Sequence, residues 1–290
     1  MDTYLGPLMK RIAIAAAVVS LLFAGAASAA DLAARPYAKA PPPVAPVFSW
    51  TGFYIGGNVG GAFTNDTAFG ITDPNNTLGL TGGLVPINFS ASPTSVIGGV
   101  HAGYNWQVGP TWLVGIEGDF SFTSLRYQGS LSPFVSALPP ANSFSNSNLR
   151  IDNLATIRGR LGWTQNQWLL YVTGGGAWMH ADASGDVGCP NTGVFACGFN
   201  SRNPFSSDLN KWGWVAGVGG EFKVTNNWIF GLEYLYYRFD GAAFAARNVD
   251  ITTGAATGRC CALYNFNDFE IHSVRARLSY QFGAPVVAKY

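Results

Sequence analysis

Charge is what this chain most lacks. Asp, Glu, Lys and Arg make up 11% of its 290 residues, against roughly 25% in an ordinary soluble domain. That composition excludes a typical soluble enzyme. The net charge is +1, so the basic face that nucleic-acid binding needs is absent and no nucleic-acid partner is expected. Histidine is limited to three residues and cysteine to four. No zinc-type spacing occurs among them, so neither a metal site nor a cofactor is expected. Long apolar runs are also missing beyond the N-terminus. None reaches the ~18 residues of a spanning helix, which excludes a membrane helix bundle.

What the chain has is glycine (36 residues) and aromatics (14%). It also has a readable N-terminus. Residues 1–8 read as an upstream extension, and 9–30 as a cleaved signal peptide. Lys10 and Arg11 precede an apolar stretch from Ile12 to Gly25, and Ala27-Ser28-Ala29 fits the small-residue cleavage rule. Residues 31–49, "DLAARPYAKAPPPVAPVFS", form a Pro/Ala-rich linker expected in the periplasm.

From Trp50 to Phe282 strand-like segments alternate with turns. Strands are expected at 53–63, 95–107, 112–123, 151–163, 168–179, 211–224, 228–239 and 269–282. "VGPT", "TQNQ" and "TNN" make three tight turns. The other connections, near 64–94, 124–150, 180–210 and 240–268, each run to about thirty residues, unusual in a compact soluble domain. Short turns alternating with long loops describe an up-and-down barrel in an outer membrane. The fold class is therefore all-β: an eight-stranded antiparallel transmembrane β-barrel, residues 50–282, with short periplasmic turns and four long extracellular loops. Residues 283–290 form a C-terminal tail.

Period two runs through the strands. Ala155, Ile157, Gly159, Leu161 and Trp163 share one face, and Thr156, Arg158, Arg160 and Gly162 the other. The last strand breaks phase: Phe269 and Ile271 oppose Val274 to Phe282. A β-bulge near Ser273, or a strand rising above the membrane, accounts for that. A lipocalin-like soluble barrel alternates in the same way, turned inside out. Aromatic banding decides between them. On the apolar face, Trp106, Trp112, Trp163, Trp168, Trp228 and Phe282 collect at the short-turn ends. Phe63, Phe122, Trp178, Trp212, Trp214 and Tyr236 collect at the long-loop ends. Two such rings about one membrane thickness apart are interfacial girdles.

The opposite face then points inward. It carries Glu117, Asp119, Glu221 and Glu233 against Arg158, Arg160, Lys223, Arg275 and Arg277. This near balance reads as a paired interior network that plugs the barrel. A narrow charged solute path is the other reading. Eight strands leave little open lumen, which favours the plug. Inward glycines such as Gly56, Gly103 and Gly219 are expected to leave room for the arginines, and His101 and His272 to join the network.

The chain resembles a known group at "AADLAARPYAKAPPPVAPVFSWTGFYIGGNVGG", "LEYLYYRFD" and "SVRARLSYQF". These stretches are similar to the alphaproteobacterial outer-membrane immunogenic proteins, filed as porin-family small barrels and similar to the OmpA transmembrane barrel. The resemblance implies an outer-membrane location and surface-exposed loops, with no single agreed activity. In that family the last strand commonly ends the chain on its aromatic; here "GAPVVAKY" follows Phe282. A structural or surface-exposed role, antigen- or adhesion-like, is expected, and not an enzyme. The alternatives are a low-conductance channel and, behind it, a lipid-modifying enzyme using His180, Asp182 and Ser184. Expected partners are outer-membrane lipid, lipopolysaccharide, the barrel-insertion machinery and an unidentified extracellular or host ligand. Cys189, Cys197, Cys260 and Cys261 fall in long loops. In an oxidising exterior they are disulfide candidates, and Cys189–Cys197 is preferred because it lies within one loop.

Overall fold

In the computed structural model, residues 48–64, 67–72, 87–91, 93–131, 144–189, 200–258 and 262–283 are described. The expected extension, signal peptide and nearly all of the linker lie outside them, as do Cys197, Cys260, Cys261 and the tail after Gly283. Only the backbone of Cys189 is described. The described strands are β1 (Gly52–Thr64), β2 (Thr67–Thr72), β3 (Ile87–Ala91), β4 (Thr94–Val108), β5 (Trp112–Leu131), β6 (Phe144–Gln165) and β7 (Trp168–Cys189). They continue with β8 (Ser201–Lys223), β9 (Trp228–Phe239), β10 (Ala242–Ala246), β11 (Val249–Asp250), β12 (Ala262–Phe266) and β13 (Phe269–Gln281).

Eight of these close a ring. The hydrogen-bonded order is β8-β7-β6-β5-β4-β1-β13-β9, and β8 pairs with β9. Every pairing is antiparallel. The turns behave as their sequences dictate. Asn166 adopts φ 54 in the tight β6–β7 turn, a left-handed conformation that Asn tolerates better than most residues. Gly109 takes φ 78 between β4 and β5.

The aromatic rings face outward at both ends. At the short-turn end Trp112 and Trp168 are 56% and 58% exposed, and Trp212 near the other end is 76% exposed. Trp168 and Trp178 are ten residues apart on β7. That is about 33 Å along a strand, or roughly 25 Å of height at ~40° tilt. This height matches the apolar band of an outer-membrane barrel.

The strands extend well past the upper girdle. Four of them were expected to end or begin near 123, 151, 179 and 211; they reach Leu131, Phe144, Cys189 and Ser201 instead. Much of the two expected loops at 124–150 and 180–210 is therefore strand. The reason is an inversion of polarity. Below Trp178, β7 turns Leu170 and Val172 outward; above it, Met179, Ala181, Ala183 and Val187 are buried inside, and Asp182 faces out. One strand thus follows the rule of a lipid-embedded barrel and then that of a water-soluble one. A search for outward apolar residues stops at the boundary.

The same inversion resolves β13. Its pairing runs without a register shift, and Phe269, Ile271, Ser273, Arg275 and Arg277 are all buried. There is no bulge at Ser273. Phe269 and Ile271 point inward above the membrane, where the interior is apolar. The bulges lie elsewhere, between Phe122 and Leu125 on β5 and between Ile151 and Asn153 on β6. The second inserts one extra residue in β6, so inward positions change from odd (Leu149, Ile151) to even (Leu154, Thr156, Arg158).

A second sheet, ordered β10-β12-β2-β3, is built from the connections β1–β4 and β9–β13. Its Ile71, Ala246, Tyr264 and Phe266 join one apolar cluster with Tyr127, Tyr237, Phe239 and Phe269 of the barrel. The Tyr264 hydroxyl donates to the Asn203 carbonyl at 2.9 Å. The Phe205 and Tyr264 rings lie 4.2 Å apart.

Candidate functional site

Three tiers fill the interior from the short-turn end upward. The lowest centres on Trp50, which is completely buried and clusters with Leu113, Leu169, Tyr171 and Ile229. Its indole Nε1 donates to the Asn166 carbonyl at 3.2 Å. Lys223 belongs here and departs from the expected network. It is buried, but its Nζ donates to the Ser49 and Asn226 carbonyls at 2.5 and 3.3 Å. It also lies 5.1 Å from the centre of the Trp50 ring. Among the described ion pairs Lys223 has no acid. The reason is reach: it ends β8 at the rim, where chain carbonyls are the nearest acceptors. Gln281 holds the same crossing segment through the Thr51 carbonyl at 2.8 Å.

The middle tier is ionic. Without Lys223 it holds four carboxylates and four guanidiniums, with no net charge. Register explains the assembly: Glu117 is directly opposite Arg158, and Glu233 opposite Arg275. Arg158 donates to Glu117, Asp119 and Glu233 at 2.5, 3.0 and 3.0 Å. Arg160 reaches Glu221 at 2.6 Å and Glu117 at 3.3 Å. Arg275 joins Glu233 at 2.5 Å and Asp119 at 3.1 Å. Arg277 joins Glu233 at 2.7 Å, makes a close contact with Glu117, and lies 3.9 Å from Glu221. Every carboxylate thus touches at least two arginines. These side chains are between 0 and 3% exposed, so each charge depends on its partners in place of water.

Sequence reasoning missed two tyrosines in this tier. The Tyr54 hydroxyl donates to Glu117 at 2.7 Å and accepts from Arg160 at 2.6 Å. The Tyr171 hydroxyl donates to Glu233 and accepts from Arg277, both at 2.9 Å. The Arg160 guanidinium also sits 3.9 Å from the centre of the Tyr171 ring. Both tyrosines stand on the inward phase of their strands, Tyr54 with Gly56 and Asn58 on β1 and Tyr171 with Thr173 on β7, which was the available signal. They also correct the role of the glycines. A Cβ on Gly103 would fall 2.4 Å from the Tyr54 hydroxyl, and one on Gly219 would fall 2.3 Å from the Tyr171 ring. These glycines make space for tyrosines.

His101 is buried and bonds Ser279 at 2.7 Å, at the edge of the tier. His272 does not join it. It faces outward, stacks on Phe63 at 5.2 Å, and its Nδ1 pairs with the Tyr234 hydroxyl at 2.7 Å. His180, Asp182 and Ser184 do not form a catalytic group. His180 pairs with Asn210 at 3.3 Å and lies 3.8 Å from Asp182. Ser184 lies four residues further along the same strand, about 13 Å away.

The upper tier is the apolar cluster shared with the second sheet. The girdle residues stand outside all three tiers. Around the lower rim Trp228, Tyr280, Phe282 and Phe53 form a chain of ring contacts at 5.2, 5.0 and 5.7 Å. Trp168 packs on Phe222 and Trp106 on Tyr104. Trp112 and Trp163 are direct cross-strand partners.

The chain is similar to known proteins. The chain is 31% identical to the 31 kDa outer-membrane immunogenic protein of Brucella melitensis over 280 residues, covering 94% of this chain and all of that protein. It is 29% identical to the 22 kDa outer membrane protein of Rhizobium leguminosarum over 73% of each. Among solved structures, the outer membrane protein OprG from Pseudomonas aeruginosa gives a TM-score of 0.44 at 13% identity, covering 81% of this chain and 97% of that one. The family model described as "Outer membrane protein beta-barrel domain" matches residues 14–282. The closed antiparallel ring, its two girdles and this match together make the chain a member of the outer membrane protein beta-barrel domain family, resident in the outer membrane of a Gram-negative envelope.

Proposed function

We propose that this protein is a closed, non-conducting barrel that anchors a surface-exposed platform of strands, with a structural and antigen-like role. The observation carrying this reading is the filled interior: Trp50 below, four balanced ion-pair acids and bases in the middle, and an apolar cluster above. An ion crossing the barrel would have to displace all three. The second sheet and the long upper ends of β5 to β8 supply the platform. The naming of relatives as immunogenic proteins supports surface exposure. The distance between His180 and Ser184 supports a non-catalytic role. Planar-bilayer recording of the refolded barrel tests the reading. No stepwise conductance is expected from wild type or from Trp50→Ala, in which the two upper tiers remain. Discrete current steps in wild type refute it.

A further inference from the structure

Above the upper girdle, the outward faces of β5 to β8 form three successive rows of aligned side chains. The first row is Arg126, Arg150, Asp182 and Asp208; the second is Gln128, Asn148, Ser184 and Ser206. The third places Ser130, Asn146 and Asp186 side by side, with Pro204 at its end. The inward neighbours Leu125, Tyr127, Leu149 and Ala183 are buried, so the rows face away from the barrel. Between the second and third rows runs a groove of about 700 Å³.

Two features ask for a ligand. Arg126 stands directly opposite Arg150, and opposed like charges destabilise a strand pair. Asp152 relieves Arg150 at 2.6 Å, but among the described ion pairs none serves Arg126. In the groove, Asn148 Oδ1 and Asp186 Oδ1 are shielded and accept no hydrogen bond from the described protein. The other Asp186 oxygen takes Arg202 at 3.3 Å. Amides, hydroxyls and a single carboxylate match the alternating donors and acceptors of sugar hydroxyls. The order along the strands matters as well. Guanidiniums stand two outward rows above the girdle, past the row of His180 and Asn210, and the amide and hydroxyl rows follow about 7 and 13 Å further along the strand. A glycolipid of the outer leaflet presents phosphate at the membrane boundary and sugar above it, in that same order.

We propose that the outward face of β5 to β8 is a lateral binding site for lipopolysaccharide, with Arg126 and Arg150 taking a lipid A phosphate and the Asn148–Ser184 groove taking core sugar. Asp182 and Asp208 stand beside the phosphate position and confine it to the β5–β6 side. The inference rests on reading the chain as a surface-exposed outer-membrane barrel.

The test uses the refolded full chain in neutral detergent. Affinity is measured for a rough lipopolysaccharide carrying phosphorylated lipid A and a short core, and for phosphatidylglycerol. Lipopolysaccharide is expected to bind at least about tenfold more tightly, and Arg126→Glu to weaken it about tenfold, a change of about 1.4 kcal/mol. Asn148→Ala combined with Ser184→Ala should weaken lipopolysaccharide and leave phosphatidylglycerol unchanged. All three side chains face outward, and heat-modifiable gel mobility checks that each variant folds. Equal affinity for the two lipids, indifference to both variants, or full displacement by millimolar inorganic phosphate overturns the proposal. Current steps in the bilayer assay refute the closed-barrel reading and leave these affinities standing, so the two fail separately.

Discussion

Replacing Arg158 by Leu tests the ionic tier most directly. Arg158 bonds three of the four acids, Glu117, Asp119 and Glu233, at 2.5 to 3.0 Å. Leucine leaves four carboxylates facing three guanidiniums in a space that water does not reach. Removing one partner of a buried pair costs about 3–5 kcal/mol, because the other charge stays buried. Here the loss is shared. Glu117 keeps Arg160 and Arg277, Asp119 keeps Arg275, and Glu233 keeps Arg275 and Arg277. The cost should therefore lie near the lower bound, about 3 kcal/mol. Asp119→Asn added to Arg158→Leu restores three against three. The double variant should recover about 1–2 kcal/mol relative to Arg158→Leu alone, the coupling expected of residues in one network. Denaturant unfolding of the lipid-reconstituted barrel, followed by tryptophan fluorescence and extrapolated to zero denaturant, measures both. Conductance should stay at zero, since the tiers above and below are untouched. An Arg158→Leu barrel with the wild-type midpoint, or a double variant no more stable than the single one, refutes the pairing described.

Two further predictions concern packing and the extracellular rim. Gly219→Ala should cost about 1–3 kcal/mol by overpacking, since the three atoms nearest its new Cβ all belong to Tyr171. Adding Tyr171→Leu should cost less than the two single changes summed, and strict additivity in unfolding would contradict the contact. At the rim, Asp268 accepts from Arg238 at 2.9 Å and from the Gly241 amide at 3.0 Å. The Arg238 hydrogen bond, then the Gly241 one, hold its carboxyl below the ordinary value. A depressed carboxylate stabilises the fold above its unfolded pKa and loses that contribution as pH falls through the folded one. The protection factor of the Gly241 amide, its exchange rate measured against the intrinsic rate at each pH, should therefore fall on acidification in wild type. In Asp268→Asn that protection factor should be low and independent of pH; a protection factor unchanged by the substitution would rule the contact out.

Much of the fold was legible because a strand's two-residue period is local. Arg158 and Arg160 sit two apart in an apolar stretch, and that spacing alone puts both opposite Ile157 and Leu161. The expected strand ends failed at 123, 151, 179 and 211 for one reason: the outward face turns polar where water replaces lipid. His272 was misplaced through the same phase break, because an apolar interior at Phe269 and Ile271 reads like a shifted register. Lys223 has the phase of the network but stands at the rim, and position along the barrel axis depends on strand tilt and turn placement, which period two does not record.

The sequence by itself determined the eight-stranded barrel, its two aromatic girdles, its inward charges and its outer-membrane location, since each follows from strand period, connection lengths and composition read along the chain. The tertiary structure alone decided which charges meet. Arg158 joins Glu233 from 75 residues away, and Arg277 joins Glu117 from 160. It also decided that Trp50, at the end of a proline-rich segment, closes the lower mouth, and that the connections return as a sheet over the upper one. These contacts depend on ring closure, which brings distant strands face to face across the lumen, and no pattern within a single strand encodes the partner on the far wall.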